Sequence, residues 1–272
     1  MAFDRVSFVN GGDCTQLGYF AGSARRGPVK FHSVFLLLEH AQHGASLIDT
    51  GYGPWFLEAT RTFPSKLYRW TLPVHLDARG DASQILAQRG VTSVREIFIS
   101  HFHGDHVAGL RHFPMSTYVY RGDALATLSA QSPVRQTCHG FLPALLPDDF
   151  TTRGRALDES QFTSAVDELS DFRVHDFFGD GELLLIDLPG HAPGHTGFAF
   201  RTATERFLYV ADACWDMDAL LRGRSLPFVS RLLQHSASAY EDTQRKLRDF
   251  AARHPDWRVL ACHCPRTQTH VD

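Results

Sequence analysis

The chain has 272 residues and is 43% hydrophobic, so it can bury a large core either as one generous α/β domain or as two small domains. Its formal net charge is −3 and it has no long run of lysine and arginine, which gives no electrostatic reason to expect a nucleic-acid or membrane-surface partner. The five cysteines are odd in number and scattered, which argues against a disulfide framework and predicts reduced thiols.

We expect the sequence to have neither a membrane segment nor an export signal. Residues 1–7 lack the basic head and apolar stretch of a signal peptide, and no later run approaches the ~20 apolar residues of a membrane span. We therefore expect a soluble, cytoplasmic protein that acts on a small molecule. The sequence gives no indication of its oligomeric state.

In the first half of the chain, short β-rich runs alternate with turn residues. Runs over 33–38 and 45–49 predict a hairpin whose second strand stops at Asp49. A helix is predicted over 81–89, ending at a glycine, and a strand over 95–100 then leads directly to His101.

The second half combines an irregular stretch with a regular one. After a short strand over 118–120, residues 121–180 are predicted to form a helical insertion or lid. Further elements follow: strands over 183–188, 197–201 and 206–211, a helix over 238–253 and a strand over 257–261. Strands followed by helices in both halves, with no linker, favour one α/β domain over 1–272.

Four residues of metal-ligand type lie within six positions after the strand at 95–100, namely His101, His103, Asp105 and His106. Divalent transition metals bind imidazole nitrogen and carboxylate oxygen. On an extended segment the first two histidines would share one side, whereas the last two residues begin a helix and point away from them. One loop could thus serve two neighbouring metals. A purely structural cluster is disfavoured because burying uncompensated imidazoles and a carboxylate is costly.

Three more residues of ligand type each follow a β-rich run. His191 follows the strand at 183–188 in Pro-Gly-His-Ala-Pro-Gly-His, which ends at His195; Asp212 follows Leu-Tyr-Val-Ala; His263 follows Val-Leu-Ala-Cys. Taken singly, each is more typical of a turn. As a series at successive strand ends, they favour a metal centre.

This series of motifs resembles the metallo-β-lactamase fold superfamily over 33–265, and its pattern is most similar to that of the N-acyl homoserine lactonases. The resemblance implies an α/β fold, a four-layer αββα sandwich of mixed sheets with outer helices. It implies two divalent metal ions, the first bound by His101, His103 and His191, the second by Asp105, His106 and His263, with Asp212 bridging both. It also implies that Asp49 orients the ligands by hydrogen bonds and that His195 lies behind them in a similar role.

Such a centre would hold a hydroxide between its metals, and this hydroxide would attack a carbonyl carbon. Asp105 and Asp212 are the candidate catalytic carboxylates, Asp105 being the nearest one for passing a proton to the leaving group. We expect zinc, with iron or manganese as alternatives. No Gly-x-Ser-x-Gly motif is present, and no serine nucleophile is required.

The predicted reaction is hydrolysis of a lactone or another carboxylic ester. A thioesterase of the acyl-CoA, acyl-carrier or glutathione type is the alternative, although only nine residues follow His263, too few for a glutathione-binding extension. A non-catalytic metal-binding module is less favoured because the ligand set is complete. Many of the lactonases place a tyrosine where this chain has Trp215, an indole that cannot act as an acid. Trp215, Phe141 and Phe150 are candidate pocket residues, with ordinary helix core as the alternative for the two phenylalanines.

Two other groups need an interpretation. Cys262 and Cys264 flank His263, and in an extended tripeptide both would face away from it, so we expect buried thiols, with thiolate ligation as the alternative. Histidines such as His40 and His43 have no evident partners and are expected to be ordinary surface or core residues.

Overall fold

The N-terminal half of the chain builds a seven-stranded sheet. In the computed structural model, which describes residues 2–271, its strands are β1 (Arg5–Leu17), β2 (Pro28–His40), β3 (Gly44–Ile48), β4 (Val74–His75), β5 (Glu96–Phe98), β6 (Thr117–Arg121) and β7 (Gly154–Leu157). They lie in the order β4-β1-β2-β3-β5-β6-β7, antiparallel from β4 to β3 and parallel from β3 to β7. The predicted hairpin is confirmed, with a first strand longer than expected.

The C-terminal half builds a second sheet of six strands. These are β8 (Thr163–Ser164), β9 (Arg173–Asp176), β10 (Leu183–Asp187), β11 (Thr196–Arg201), β12 (Arg206–Tyr209) and β13 (Trp257–Leu260), in the order β13-β12-β11-β10-β9-β8. Only β12 and β13 run parallel to each other. Because they are parallel, both strands end on the same side of the sheet, where Asp212 and His263 follow them.

The described residues also form eleven α-helices, many of them a single turn. They are α1 (Pro54–Ala59), α2 (Lys66–Thr71), α3 (Ala82–Gln88), α4 (Gly104–Val107), α5 (Gly122–Ser129), α6 (Pro133–Cys138), α7 (Phe150–Arg153), α8 (Met217–Leu221), α9 (Phe228–Leu232), α10 (Ala237–Arg253) and α11 (Pro265–Gln268). Helix α3 begins where the sequence indicates, because Asp81 and Gln84 form a capping box at its N-terminus. No helix of residues 2–271 is long and apolar enough to cross a membrane.

The two sheets pack face to face, and each also packs against helices on its outer side. Along β2, Leu36 and Leu38 point into the layer between the sheets, whereas Phe35 and Leu37 point to the outer helices, as the two-residue period of a strand requires. On the far side, Leu247 and other residues of α10 cover the second sheet. This arrangement is the predicted four-layer αββα sandwich.

The stretch over 121–180 differs from the expected helical insertion. It contains α5, α6 and α7, but it also supplies β7 to the first sheet and β8 and β9 to the second. The sequence missed these strands because they are short and none contains more than two apolar residues. A lid role for this stretch and the extent of a single domain over 1–272 stay predictions.

Candidate metal centre

Hydrogen bonds to its carbonyl groups, from two backbone amides and a serine hydroxyl, hold the backbone of the loop that follows β5. The hydroxyl of Ser33 donates to the carbonyl of Asp105 at 2.7 Å, and the amide of Thr50 donates to the carbonyl of His106 at 2.9 Å. From the second sheet, the amide of Thr196 donates to the carbonyl of Ser100 at 2.9 Å. Both sheets therefore hold this loop in place.

A first group of ligand atoms joins this loop to the second sheet. His101, His103, His191 and Asp212 each present one atom, and all four atoms lie within 4.8 Å of one another. His103 Nδ1 lies 3.2 Å from His191 Nε2, which lies 3.6 Å from Asp212 Oδ2. The structure thus brings together residues that are up to 111 positions apart in the chain.

A second group lies on the other side of Asp212. Asp212 Oδ1 is 3.4 Å from His106 Nε2, and Asp212 Oδ2 is 3.0 Å from His263 Nε2. Asp105 Oδ2 completes the group at 3.4 Å from the same nitrogen of His106 and 3.3 Å from that of His263. The carboxylate of Asp212 therefore belongs to both groups.

Several polar atoms at the centre of these groups are buried without a partner. Among the described residues, His101 Nε2, His106 Nε2 and Asp212 Oδ1 have no hydrogen bond. Each such atom costs roughly 1–3 kcal/mol when left unpaired. Imidazole nitrogens and carboxylate oxygens are ligands of zinc, iron and manganese, so these residues fit the two metals that the resemblance implies.

Asp49 orients part of the second group. Its backbone is left-handed, with a φ of 62°, and its carboxylate accepts hydrogen bonds from the amide and hydroxyl of Ser100, at 2.8 and 2.7 Å. The same carboxylate lies 2.7 Å from His106 Nδ1. In neutral His106, donation of the Nδ1 proton to Asp49 places the lone pair on Nε2, which faces Asp212.

His195 lies behind Asp212. Its Nε2 accepts a hydrogen bond from the backbone amide of Asp212 at 3.1 Å. It therefore helps to fix the turn that presents the carboxylate.

Comparisons with known proteins found similar sequences and similar structures. No family model matches the chain. A probable metallo-hydrolase of Mycobacterium tuberculosis is 29% identical over 249 residues, which cover 85% of this chain and 74% of the relative. The N-acyl homoserine lactonase AttM of Agrobacterium fabrum is 28% identical over 180 residues, which cover 63% of this chain and 59% of that protein.

A solved N-acyl homoserine lactone hydrolase, with the product N-hexanoyl-L-homoserine bound at its catalytic metal centre, superposes with a TM-score of 0.75. The match covers 100% of this chain and 98% of that one, at 15% identity. This chain has the metallo-β-lactamase fold. Its relatives and structural neighbours are metal-dependent hydrolases, lactonases among them.

Three partners of the ligands in this metallo-β-lactamase fold were missed by the sequence analysis. His191 Nδ1 lies 3.0 Å from Gln234 Oε1, and His263 Nδ1 lies 2.8 Å from the carbonyl oxygen of His32. Ser100 links Asp49 to His101, whose Nδ1 is 3.0 Å from the serine hydroxyl. Only Ser100, beside the histidine cluster, gave a signal in the sequence. A glutamine 43 positions away and a backbone carbonyl give none.

Charge and burial set the protonation of the imidazoles. Burial, together with His106 and His103, holds the pKa of His101 well below its usual range, and burial lowers the pKa of His103 to about 3. Burial also acts against protonation of His106, but the carboxylates of Asp105 and Asp49 outweigh it and raise its pKa well above the usual value. The imidazoles of His101 and His103 are thus neutral and offer lone pairs.

Trp215 lies against the candidate metal centre. Its indole N–H donates to Asp212 Oδ2 at 3.1 Å, and its ring meets that of His191 edge to face, with the centroids 5.5 Å apart. With His263 and Phe31 it lines a cavity of about 160 Å³. The indole proton is therefore committed to Asp212.

Phe141 and Phe150 do not line this cavity. Both are buried in the outer layer of the first sheet, where their rings pack against Phe102. This placement agrees with the helix-core alternative for both residues.

Cys262 and Cys264 are buried, as expected, but they do not face the same way. Cys262 packs between the sheets and its thiol donates to the carbonyl of Val34 at 3.4 Å, whereas Cys264 packs in the outer layer. The prediction was wrong because residues 262–263 form a turn rather than extended strand. The sulfur of Cys262 lies within ligand distance of the second group, but its hydrogen bond uses the proton of a thiol.

A third cluster, His40, His43 and Glu182, also gathers ligand-type atoms. His40 Nδ1 accepts hydrogen bonds from the amides of Gln42 and His43, both at 3.1 Å. The ring proton must then lie on Nε2, which is 2.7 Å from Glu182 Oε2. Because Nδ1 accepts hydrogen bonds and Nε2 carries the ring proton, His40 has no free lone pair for a metal. The cluster is therefore a buried polar contact.

Proposed function

We propose that this chain is a dinuclear metal-dependent hydrolase that cleaves a lactone or another carboxylic ester. The observation that carries the proposal is the position of Asp212. Its carboxylate lies between two groups of imidazoles, with Oδ2 3.6 Å from His191 Nε2 and 3.0 Å from His263 Nε2, and Oδ1 3.4 Å from His106 Nε2. Both groups contain a buried nitrogen with no hydrogen-bond partner among the described residues. A carboxylate shared in this way is suited to bridging two cations.

In this proposal each group holds one metal. The first is held by His101, His103 and His191, the second by Asp105, His106 and His263, and Asp212 is shared. Zinc is proposed for both, with iron or manganese as alternatives. When bound, such ions polarise a carbonyl group and lower the pKa of water towards ~7.

The chain's own residues keep this centre in a single geometry. Asp49, Gln234 and the carbonyl of His32 each accept the Nδ1 proton of one histidine and so direct its Nε2 inward. Trp215 and His195 fix Asp212 from two sides. Rotation of the ligands is therefore restricted before substrate arrives.

Asp105 is placed to move a proton. Burial alone would raise the pKa of Asp105, but His106 outweighs it and holds this pKa below its usual range, so the carboxylate is ionised at neutral pH. The ionised carboxylate can accept a proton from the nucleophilic water and pass it to the leaving alkoxide of a ring-opened ester.

A lactone is the leading substrate for two reasons. The similarity to AttM and to the structure with a bound N-acyl homoserine product supports it. The cavity beside the centre, about 160 Å³ and walled by Val29, Phe31 and Trp215, suits a small ring with an apolar substituent. No observation favours the thioesterase alternative specifically, and a non-catalytic metal-binding role is less favoured because the ligand set is complete.

The proposal is tested by elemental analysis together with a hydrolysis screen over lactones, thioesters, β-lactams and phosphodiesters. We expect about two metal ions per chain and turnover of lactones. His106→Ala should lose both metal and activity, whereas His175→Ala, on β9 and outside both groups, should keep them. A stable metal-free protein without turnover would refute the proposal, and turnover of phosphodiesters alone would refute the substrate class.

A further inference from the structure

Two segments of this acidic protein contain no acidic residue. They are residues 17–30 and 219–235, and we call them together the cationic rim. Six positive charges lie in them: Arg25, Arg26, Lys30, Arg222, Arg224 and Arg231. A net charge of −3 for the whole chain conceals this local excess of positive charge.

Most of these cations are not neutralised. Lys30 pairs with Asp13 at 3.3 Å and Arg231 with Glu241 at 2.8 Å. Within residues 2–271, no acidic side chain pairs with the other four arginines. They are available to attract a negatively charged surface.

The same segments expose large apolar side chains. On α9 and the residue after it, Phe228 is 71% exposed, Leu232 68% and Leu233 64%. Val229, Leu221, Tyr19 and Leu17 are also exposed. More than half of the strongly exposed large apolar residues between positions 2 and 271 belong to the rim, which marks an interaction site rather than scattered surface residues.

The two segments form one surface next to the metal centre. Gly22 packs against Ala219 and Leu226, which joins the segments. Gln234, just after α9, contacts the metal-ligand candidate His191, and Arg25 lines the same cavity as Trp215. The rim therefore borders the mouth of the site.

We propose that the cationic rim docks on an anionic lipid bilayer. The apolar side chains of α9 would enter the boundary between head groups and acyl chains, and the unpaired arginines would contact the anionic head groups. The mouth of the cavity would then face the membrane. A substrate that carries an acyl chain could pass directly from the bilayer to the metal centre.

A second copy of the chain fits this surface less well. A two-fold interface would place the rim against itself, with its unpaired arginines facing one another and no carboxylate between them. An anionic bilayer supplies the missing negative charge. The proposal does not depend on the hydrolase function, because lipid binding is measured without substrate.

The experiment is co-sedimentation of the metal-loaded protein with vesicles of phosphatidylcholine alone or of phosphatidylcholine with phosphatidylglycerol. We expect binding to the anionic vesicles only, weakening as salt rises. The double variant Arg222→Ser/Arg224→Ser should bind about 25-fold more weakly, since each basic contact contributes about fivefold. Phe228→Ser/Leu232→Ser should lose roughly tenfold or more.

A matched control is Met115→Ser, because Met115 is 89% exposed but lies before β6, outside the rim. It should bind as the parent does. Circular dichroism melting curves confirm that all variants are folded. Equal binding by the parent and both rim variants would overturn the proposal. So would a parent that ignores vesicles and forms a dimer that Phe228→Ser/Leu232→Ser dissociates, because the rim would then be a contact between copies of the chain.

Discussion

Asp49 combines an unusual backbone with a full set of hydrogen bonds. Its left-handed φ of 62° is tolerated better by Asp and Asn than by most residues, and it turns the carboxylate towards Ser100 and His106. Strain at a buried polar residue persists only where the surroundings hold it. Here the neighbours that hold it belong to the candidate metal centre.

We predict that Asp49→Asn weakens metal binding about 10- to 100-fold. Asparagine accepts the same φ, but Asp49 uses both oxygens as acceptors, Oδ1 for the Ser100 amide and Oδ2 for the Ser100 hydroxyl and His106 Nδ1. Whichever way the asparagine amide is oriented, its NH2 group faces one of these donors, so the hydrogen bonds that fix His106 are disturbed. Competition with a chromophoric chelator measures the affinity. Asp180→Asn, which alters a carboxylate on the exposed loop near Glu182, is the control, and unchanged affinity in Asp49→Asn would contradict the assigned role.

Trp215 provides a second test at the scale of one hydrogen bond. Trp215→Phe removes the donor to Asp212 Oδ2 but keeps an aromatic ring beside His191. We expect metal affinity to fall roughly tenfold, as for other partners of ligands. Trp70→Phe, at a residue 65% exposed on α2, should leave metal affinity unchanged. If both variants bind metal equally well, the indole does not position Asp212.

Among the secondary-structure elements, the turn after α6 supports the ligand loop. Phe141 pairs with His103 in an isolated antiparallel bridge, and Gly140 has a φ of 66°. A Cβ on Gly140 would lie 2.5 Å from Cδ2 of His103. The glycine is therefore needed both for its backbone conformation and for the space it leaves to the imidazole.

We predict that Gly140→Ala displaces His103 and lowers both metal content and activity. Gly179→Ala is a matched control, because Gly179 has a similar φ of 79° but no heavy atom within 4 Å of the position that an alanine methyl group would take. Both variants should lose about 1–2 kcal/mol of stability through the left-handed backbone. Elemental analysis separates them: Gly179→Ala should keep its metals, and an equal loss from both would show that strain alone is responsible.

Elements with a clear apolar period were predictable, whereas others were not. The strands β10 to β13 and helix α10 lie within about two residues of the sequence prediction, because β-rich runs or helical spacing define them. Strand β1 was missed because Gly11 and Gly12 interrupt its pattern at an irregularity in the pairing with β2. The ligand-type residues could be singled out because four of them lie within six positions and the others follow successive β-rich runs. Gln234 was not, because an amide becomes significant only when the fold brings it to His191.

For the whole molecule, burial determines thiol chemistry. Burial raises the pKa of Cys14 to about 12 and also raises the pKa of Cys214 and Cys264. Cys262 is buried as well, and only Cys138 is exposed. Since the thiolate is the reactive form, a raised pKa leaves almost none of it at neutral pH.

We predict that the folded protein at pH 7.5 reacts with a maleimide at Cys138 alone. The four buried thiols should react only after denaturation exposes them to the reagent. Mass spectrometry counts the adducts. Cys138→Ser should remain unlabelled while folded, and rapid labelling of a second thiol in either protein would contradict the assignment of these residues to the core.

The residues that face one another at the candidate metal centre are divided between the two sheets. Four follow β5 of the seven-stranded sheet, and His191, Asp212 and His263 follow strands of the six-stranded sheet. Neither sheet alone contains a complete set for either cation. Metal ions bound there would act as cross-links between the two halves of the sandwich, so that separating the sheets would require breaking coordination bonds as well as apolar contacts. The coordination bonds that form the metal centre would then also make the two halves of the sandwich unfold as one unit.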